Sequence, residues 1–181
     1  MQKVKLGDVC NFQYGFPFDS VRFSVDKGTP LIRIRDVVRG FTETFTDEKC
    51  GEEYIVREND LLIGMDGEFN IGRWKSYPAV LNQRVCKLIP KEYIDADYLY
   101  YFMPKALKEI ENRTPFVTVK HLSAKQLNAI EIILPPIEEQ KAIAEKLDKV
   151  SSLIEKRKQQ LSLLDTLVKS KFVEMFGEPE I

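Results

Sequence analysis

The sequence predicts a mixed α/β, β-rich module followed by one long coiled-coil-like helix. Three observations carry this expectation. Short apolar runs recur between residues 30 and 90, separated by Gly, Pro, Asn and Asp, with little helical pattern among them. A capped apolar stretch from Asp95 to Ile110 supplies one helix to pack on such a core. The segment Ile137 to Phe176 contains no Pro and no Gly, and it lies between Pro135-Pro136 and Gly177. As one helix it would reach roughly 60 Å. The boundary therefore falls at the double proline, with a module over residues 1–134 and an arm over 135–181.

The elements follow in order. Val4 and Leu6 begin a small strand, or Leu6 to Val9 form a helical turn around Gly7-Asp8. Phe12, Tyr14, Phe16 and Phe18 alternate around Gly15 and Pro17. Because Pro lacks the ladder donor, this reads as an extended aromatic segment closing a core edge, against the alternative of a loop whose rings stack on a ligand. Leu31 to Val38 reads as a strand ended by Gly40, with Ile32 and Ile34 on one face and Arg33 and Arg35 on the other. Glu52 to Val56 is a short strand, Glu58-Asn59-Asp60 a turn, and Leu61 to Ile63 a buried strand. Gly64, Gly67 and Gly72 mark a tight turn between strands; a phosphate loop would need a Gly-Lys-Ser/Thr ending and a helix behind it. Ala79 to Leu88 reads as another strand, containing Asn82, Gln83 and Arg84. The helix capped by Asp95 is perturbed at Pro104 and resumes to Ile110. Thr114 to Val119 is extended, His121 to Leu127 holds a helical turn capped by Ser123, and Ile130 to Leu134 is the last strand.

The arm has its own logic. Glu138 and Glu139 suit the N-terminal end of the helix dipole, and Lys169 and Lys171 the other end. Leu147, Ile154, Leu161, Val168 and Met175 share one heptad position. Ile143, Val150, Arg157, Leu164 and Lys171 share a second, three residues on from the first. Leu153, Leu167, Phe172 and Phe176 widen the stripe. Arg157 and Lys171 either set register or leave the seam packed in patches. The pattern leaves open whether the partner is another copy, another protein or the module's own flank.

Composition narrows the class. The 181 residues are 44% hydrophobic and 30% charged, as in ordinary globular proteins. Cys10, Cys50 and Cys86 are scattered and odd in number, which points to a reduced, cytoplasmic setting. There is no apolar run long enough to span a membrane. The net charge of −1 is awkward for a nucleic-acid binder. Yet residues 69–91 hold Arg73, Lys75, Arg84, Lys87 and Lys91 without an acid, and residues 112–130 hold Arg113, Lys120 and Lys125 without one. Local positive faces are therefore open to a neutral whole.

Catalysis finds little purchase. Asp60, Asp66 and Glu68 are the nearest set for a metal-dependent nuclease, but they lack an Asp-x-Asp pattern or a histidine partner. A Cys–His nucleophile would require His121 to meet one of three distant cysteines. A methyltransferase would need a glycine-rich cofactor loop, and Leu134-Pro135-Pro136-Ile137 lacks the flanks of a base-flipping adenine site. No cofactor or metal is expected on this chain.

Four stretches together resemble the specificity subunits of type I restriction-modification systems. They are Val4-Lys5-Leu6-Gly7-Asp8-Val9; Pro30-Leu31-Ile32-Arg33-Ile34-Arg35-Asp36-Val37 ending at Gly40; Leu62-Ile63-Gly64-Met65-Asp66-Gly67 with Gly72 and Leu81-Asn82-Gln83-Arg84; and Leu134-Pro135-Pro136-Ile137-Glu138-Glu139-Gln140-Lys141-Ala142-Ile143. The resemblance implies a DNA target-recognition domain with one spacer helix, in a half-size form of a subunit that usually carries two of each. It implies a homodimer paired antiparallel through the arms, reading a bipartite site of double-stranded DNA. It also implies partner adenine methyltransferase subunits that carry S-adenosylmethionine, and motor-nuclease subunits in a full complex. Lys171 to Gly177 looks like the join before a second domain, so a natural half subunit, a truncated product and a cassette of a longer protein all stay open. A protein-binding adaptor without DNA recognition is the competing class.

For a DNA-binding module, affinity comes from Lys and Arg on phosphates and discrimination from a few groups at base edges. The candidates by charge and spacing are Arg33, Arg35, Arg73, Lys75, Arg84, Arg113, Thr114, Thr118, Lys120 and Lys125. Asn82 and Gln83 have amide geometry suited to adenine but are assigned a structural hydrogen-bonding role. The partner surface of the helix is expected at Ile143, Leu147, Val150, Ile154, Leu161, Leu164 and Val168.

Overall fold

A computed structural model describes residues 2–114 and 120–177. The chain opens with β1 (Gln2–Lys5), the single turn α1 (Leu6–Val9) and β2 (Cys10–Tyr14). It continues with β3 (Phe23–Ser24), β4 (Thr29–Ile32), the turn α2 (Asp36–Arg39) and β5 (Phe45–Thr46). Then come β6 (Ile55–Val56), β7 (Leu61–Gly64), β8 (Asn70–Arg73), β9 (Ala79–Leu81) and β10 (Val85–Pro90). The last elements are α3 (Ala96–Arg113), α4 (Ala124–Asn128), β11 (Glu131–Leu134) and α5 (Ile137–Phe176).

Three sheets result. One runs β2-β10-β7-β8 and is antiparallel; a second runs β3-β5-β4-β9-β6, with β4 and β9 parallel; β1 and β11 form a two-stranded ribbon. Alternation along the strands decides what packs where. Leu61 and Ile63 of β7 face a core shared with Cys86, Leu88 and the α3 residues Leu99, Met103 and Leu107. Leu62, between them, faces the opposite core with Ile32, Val37, Trp74, Leu81 and Val85. Leu31 and Val80, adjacent across the parallel β4–β9 pair, face outward onto Phe18 and the half-buried Phe16 and Phe23. Strands buried on both faces are continuously apolar, which is why Leu61-Leu62-Ile63 lacks alternation. Each such buried Leu or Ile contributes about 2 kcal/mol.

The local signals of helix ends are realised. Asp95 caps α3 by accepting from the Asp97 and Tyr98 amides at 3.0 and 2.9 Å. Ser123 caps α4, with Gln126 completing a capping box. Asn59 adopts a positive φ of 73° in its turn. Phe16 and Phe18 close a core edge, meeting edge-on at 4.9 Å.

Other expectations are corrected. The strand from Leu31 stops at Ile32, and Asp36 to Arg39 form a helical turn instead of continuing it. The buried Asp36 carboxylate is the reason: it accepts from the Arg33 amide at 2.9 Å and folds the chain back. Gly40, at φ 77°, therefore ends a helical turn and not a strand. Residues 79–88 are two strands in two different sheets, broken at Asn82-Gln83-Arg84. Residues 52–54 form a 3₁₀ turn before the two-residue β6. Helix α3 runs unbroken through Pro104, which lies on its exposed face.

The chain divides into two compact units, Met1–Lys141 and Ala142–Ile181. The first holds all three sheets and the opening turn of α5; the second is the remainder of that 40-residue helix. Gly177, at φ 80°, follows its last residue. Among the described residues no helix is long and apolar enough to cross a membrane.

Candidate nucleic-acid interface

One cluster of basic groups sits at α2. Asp36 is fully buried; its Oδ2 also accepts from the Thr42 hydroxyl at 3.0 Å. Its Oδ1 lies 3.6 Å from Arg39 Nη1 and 3.8 Å from Arg35 Nε. One buried carboxylate thus draws two partly exposed guanidinium groups to one side of the turn. Arg35 donates to Thr44 Oγ1 at 3.1 Å, and Arg39 lies 4.6 Å over the Phe41 ring while pairing with Glu43 at 3.1 Å. The Lys75 amide donates to the Gly40 carbonyl at 2.9 Å, so this lysine joins the same surface. Its ammonium is exposed and has no carboxylate partner among the described residues. Arg33 is half-buried beneath this turn, 5.6 Å from the Phe23 ring.

A second cluster gathers where the β7–β8 turn, the C-terminal end of α3 and the segment after the undescribed residues 115–119 meet. Arg84 Nη1 is 2.6 Å from Asp66 Oδ2, and His121 Nδ1 is 2.6 Å from Asp66 Oδ1. Lys120 Nζ donates to the Glu111 carbonyl at 2.7 Å. Glu111 continues the buried α3 stripe one turn beyond Leu107, and its carboxylate accepts from Lys108 at 2.8 Å and the Phe69 amide at 3.2 Å. The Lys108 ammonium holds that carboxyl below its ordinary value, against the opposing effect of burial. The Thr114 hydroxyl donates to the Ile110 carbonyl at 2.8 Å and receives Gln126 Nε2 at 3.4 Å, which brings α4 alongside. Arg113 and Lys125 are exposed nearby, without a carboxylate partner among the described residues.

The remaining candidates are spread further. Arg73 is bound internally, 2.7 Å from Asp97 and 5.0 Å over Tyr100. Asn82 is buried, and its side chain accepts from the Arg84 amide at 3.3 Å. The Gln83 side chain is exposed, although its backbone amide is tied to Phe16. Thr118 lies outside the described residues. Arg39 and His121 were not among the sites expected from sequence. Arg39 had a usable signal, since Asp-x-x-Arg-Gly is one helical turn with an i,i+3 pair and a glycine stop.

The acidic set does not converge. Asp60 accepts from the Arg57 amide at 2.8 Å and lies 3.4 Å from Lys87, at the start of β7. Asp66 follows the other end of that strand, roughly 20 Å along an extended chain. Glu68 is exposed in the turn. The expectation that Asp66 lacks a histidine partner is corrected by His121, 55 residues away in sequence. Among the described residues no three His, Cys, Asp or Glu side chains are placed to hold a metal. Burial pushes the Cys10 thiol up to about 11 and the Cys86 thiol up to about 12, so neither is a ready thiolate.

The arm presents an uncovered apolar stripe. Leu147, Val150, Ile154, Leu161, Leu164 and Val168 are all exposed, Leu161 by 64%, and Ile143 is half-buried. Arg157 bonds Gln160 at 3.0 Å and Lys171 pairs with Glu174 at 2.6 Å, so both charged seam residues are held locally.

The described chain is a β-rich module carrying basic clusters, continued by a long helix with an exposed apolar stripe. Residues 1–163 match the type I restriction modification DNA specificity domain, and the chain belongs to that family. It is 41% identical over 169 residues to the type I restriction enzyme EcoBI specificity subunit of Escherichia coli, covering 92% of this chain and 36% of the relative. It is 34% identical over 174 residues to the MjaVIII specificity subunit of Methanocaldococcus jannaschii, covering 86% and 41%. The fold matches the crystal structure of the HsdS subunit from Thermoanaerobacter tengcongensis with a TM-score of 0.69 at 20% identity, over 88% of this chain and 39% of that one. It also matches a chain from a structure of type I R-M complex assembly, with a TM-score of 0.74 at 20% identity, over 93% and 43%. The chain spans about two fifths of the length of these relatives.

Proposed function

We propose that this chain is a specificity subunit that reads one half of a bipartite DNA site and pairs through α5 with a second copy. The uncovered apolar stripe from Leu147 to Met175 carries this reading. Exposed leucines at heptad spacing along a helix of 40 residues call for a partner helix, and an antiparallel copy supplies the complementary surface. Two inverted modules at fixed separation would read an interrupted inverted repeat. Lys75, Arg113 and Lys125 are the candidates best placed for phosphate contact, because they are exposed and have no carboxylate partner among the described residues, whereas Arg35 shares the buried Asp36 carboxylate.

The chain itself would supply sequence choice and no bond-making chemistry. The partner methyltransferase would bind S-adenosylmethionine and modify adenine. A motor-nuclease subunit would join where cleavage accompanies modification. The test is adenine-methylation mapping after co-expression with a type I methyltransferase subunit, with this chain omitted in the control. New methylation at an interrupted inverted repeat is the expected result. An active methyltransferase whose pattern is unchanged by the chain would sink the proposal.

A further inference from the structure

We infer that Arg84 and His121 form a two-pronged base-edge reader, with Asp66 as the residue that positions both. The inference rests on the proposed DNA-binding role and assigns the chemistry of one site within it.

The platform under these side chains is backbone-pinned from three directions. The Met65 amide donates to the Arg84 carbonyl at 3.0 Å, joining the β7–β8 turn to the turn that breaks β9 from β10. The Leu122 amide donates to the Met65 carbonyl at 2.7 Å, and the Gly67 amide donates to the Lys120 carbonyl at 2.9 Å, so the 120–122 segment is laced to the same hairpin. The Gln83 amide reaches the Phe16 carbonyl at 3.0 Å. Gly15 lets this approach happen, because a Cβ there would overlap the Asn82 carbonyl. Recognition groups held on such a frame lose little freedom on binding.

The side chains then divide one carboxylate between them. Asp66 is mostly buried, whereas Arg84 is 60% and His121 64% exposed. Arg84 spends only Nη1 on Asp66, and its Nε and Nη2 donors make no bond to a described residue. His121 turns Nδ1 to the Asp66 carboxylate, which leaves Nε2 as the ring nitrogen with no bond to a described residue. The site thus presents a donor fork beside an exposed imidazole nitrogen. A donor fork fits guanine O6 and N7, and the imidazole nitrogen meets the polar edge of the neighbouring base.

Charge favours base edges over phosphate here. A guanidinium bonded at 2.6 Å to a carboxylate brings little net charge to the backbone, so it adds orientation more than counterion release. That separates Arg84 from Lys75 and Lys125, whose charges are uncompensated.

The 181-residue chain, its Arg84→Lys variant and its Asp66→Asn variant are each selected against a pool of random duplex DNA. Lysine keeps the charge and loses the fork. Arg84→Lys should relax the enriched motif at one position per half-site, with discrimination there falling roughly ten- to hundred-fold. Asp66→Asn should relax the same position and leave the rest of the motif unchanged, a loss confined to one position that a merely structural aspartate would not give. A motif unchanged by Arg84→Lys overturns the inference and leaves the proposed function standing. A wild-type chain that enriches no sequence overturns both. Arg84 is exposed, so its variant decides the matter even if Asp66→Asn fails to fold.

Discussion

The Gln140 side chain accepts from the Asp95 amide at 2.9 Å and, through its Nε2, donates to the carbonyls of Pro135 at 2.8 Å and Tyr93 at 3.1 Å. It is fully buried and closes the first turn of α5 against the loop that caps α3. The Pro-Pro-Ile-Glu-Glu-Gln stretch therefore has a physical reason for its glutamine. Gln140→Leu is expected to cost about 3 kcal/mol, because it leaves one buried donor and two carbonyls without their partner. Chemical denaturation of the two proteins measures the difference.

Gly72 in β8 lies directly beneath the Val37 backbone, where a Cβ would overlap the carbonyl of α2. A backbone group cannot swing aside as a flexible side chain would. Gly72→Ala is expected to destabilise by at least about 3 kcal/mol and to displace the α2 cluster. The melting curve reads the first effect, and weakened duplex binding reads the second.

Glu111 should govern part of the acid sensitivity. Its carboxyl is held below the ordinary 4.5 by Lys108, so its ionised form stabilises the fold above that value. The contribution disappears as pH falls through the depressed folded value. Thermal melting from pH 6 to pH 3 should therefore decline less steeply for Glu111→Gln than for the wild type. An equally steep decline in both would remove Glu111 from the account.

The arm makes a separable prediction. Leu161 is exposed, so Leu161→Glu should leave the melting of the module unchanged. In a paired helix it places a charge in an apolar seam, at a cost of about 3 kcal/mol or more. Light scattering should report a fall from the dimer to the monomer mass, with inverted-repeat methylation lost alongside.

Residues that act on their immediate neighbours were legible from the chain alone. The bounds of α5 followed from Pro135-Pro136 and Gly177, the caps at Asp95 and Ser123 from their side chains, and the turn at Asn59 from the polar run Glu58-Asn59-Asp60. Buried strand β7 followed from an unbroken apolar run. These are short-range effects, set within a few residues by backbone sterics, capping and periodicity. Tertiary structure alone decided the rest. A strong β pattern at Leu31 to Val38 yielded to a buried carboxylate at Asp36, and one apparent strand at residues 79–88 was split between two sheets. Arg73 found Asp97, and Asp66 found His121 and Arg84, through contacts between distant stretches. Composition named the charged groups, but only the packing of distant segments determined which charges neutralise one another and which remain uncompensated.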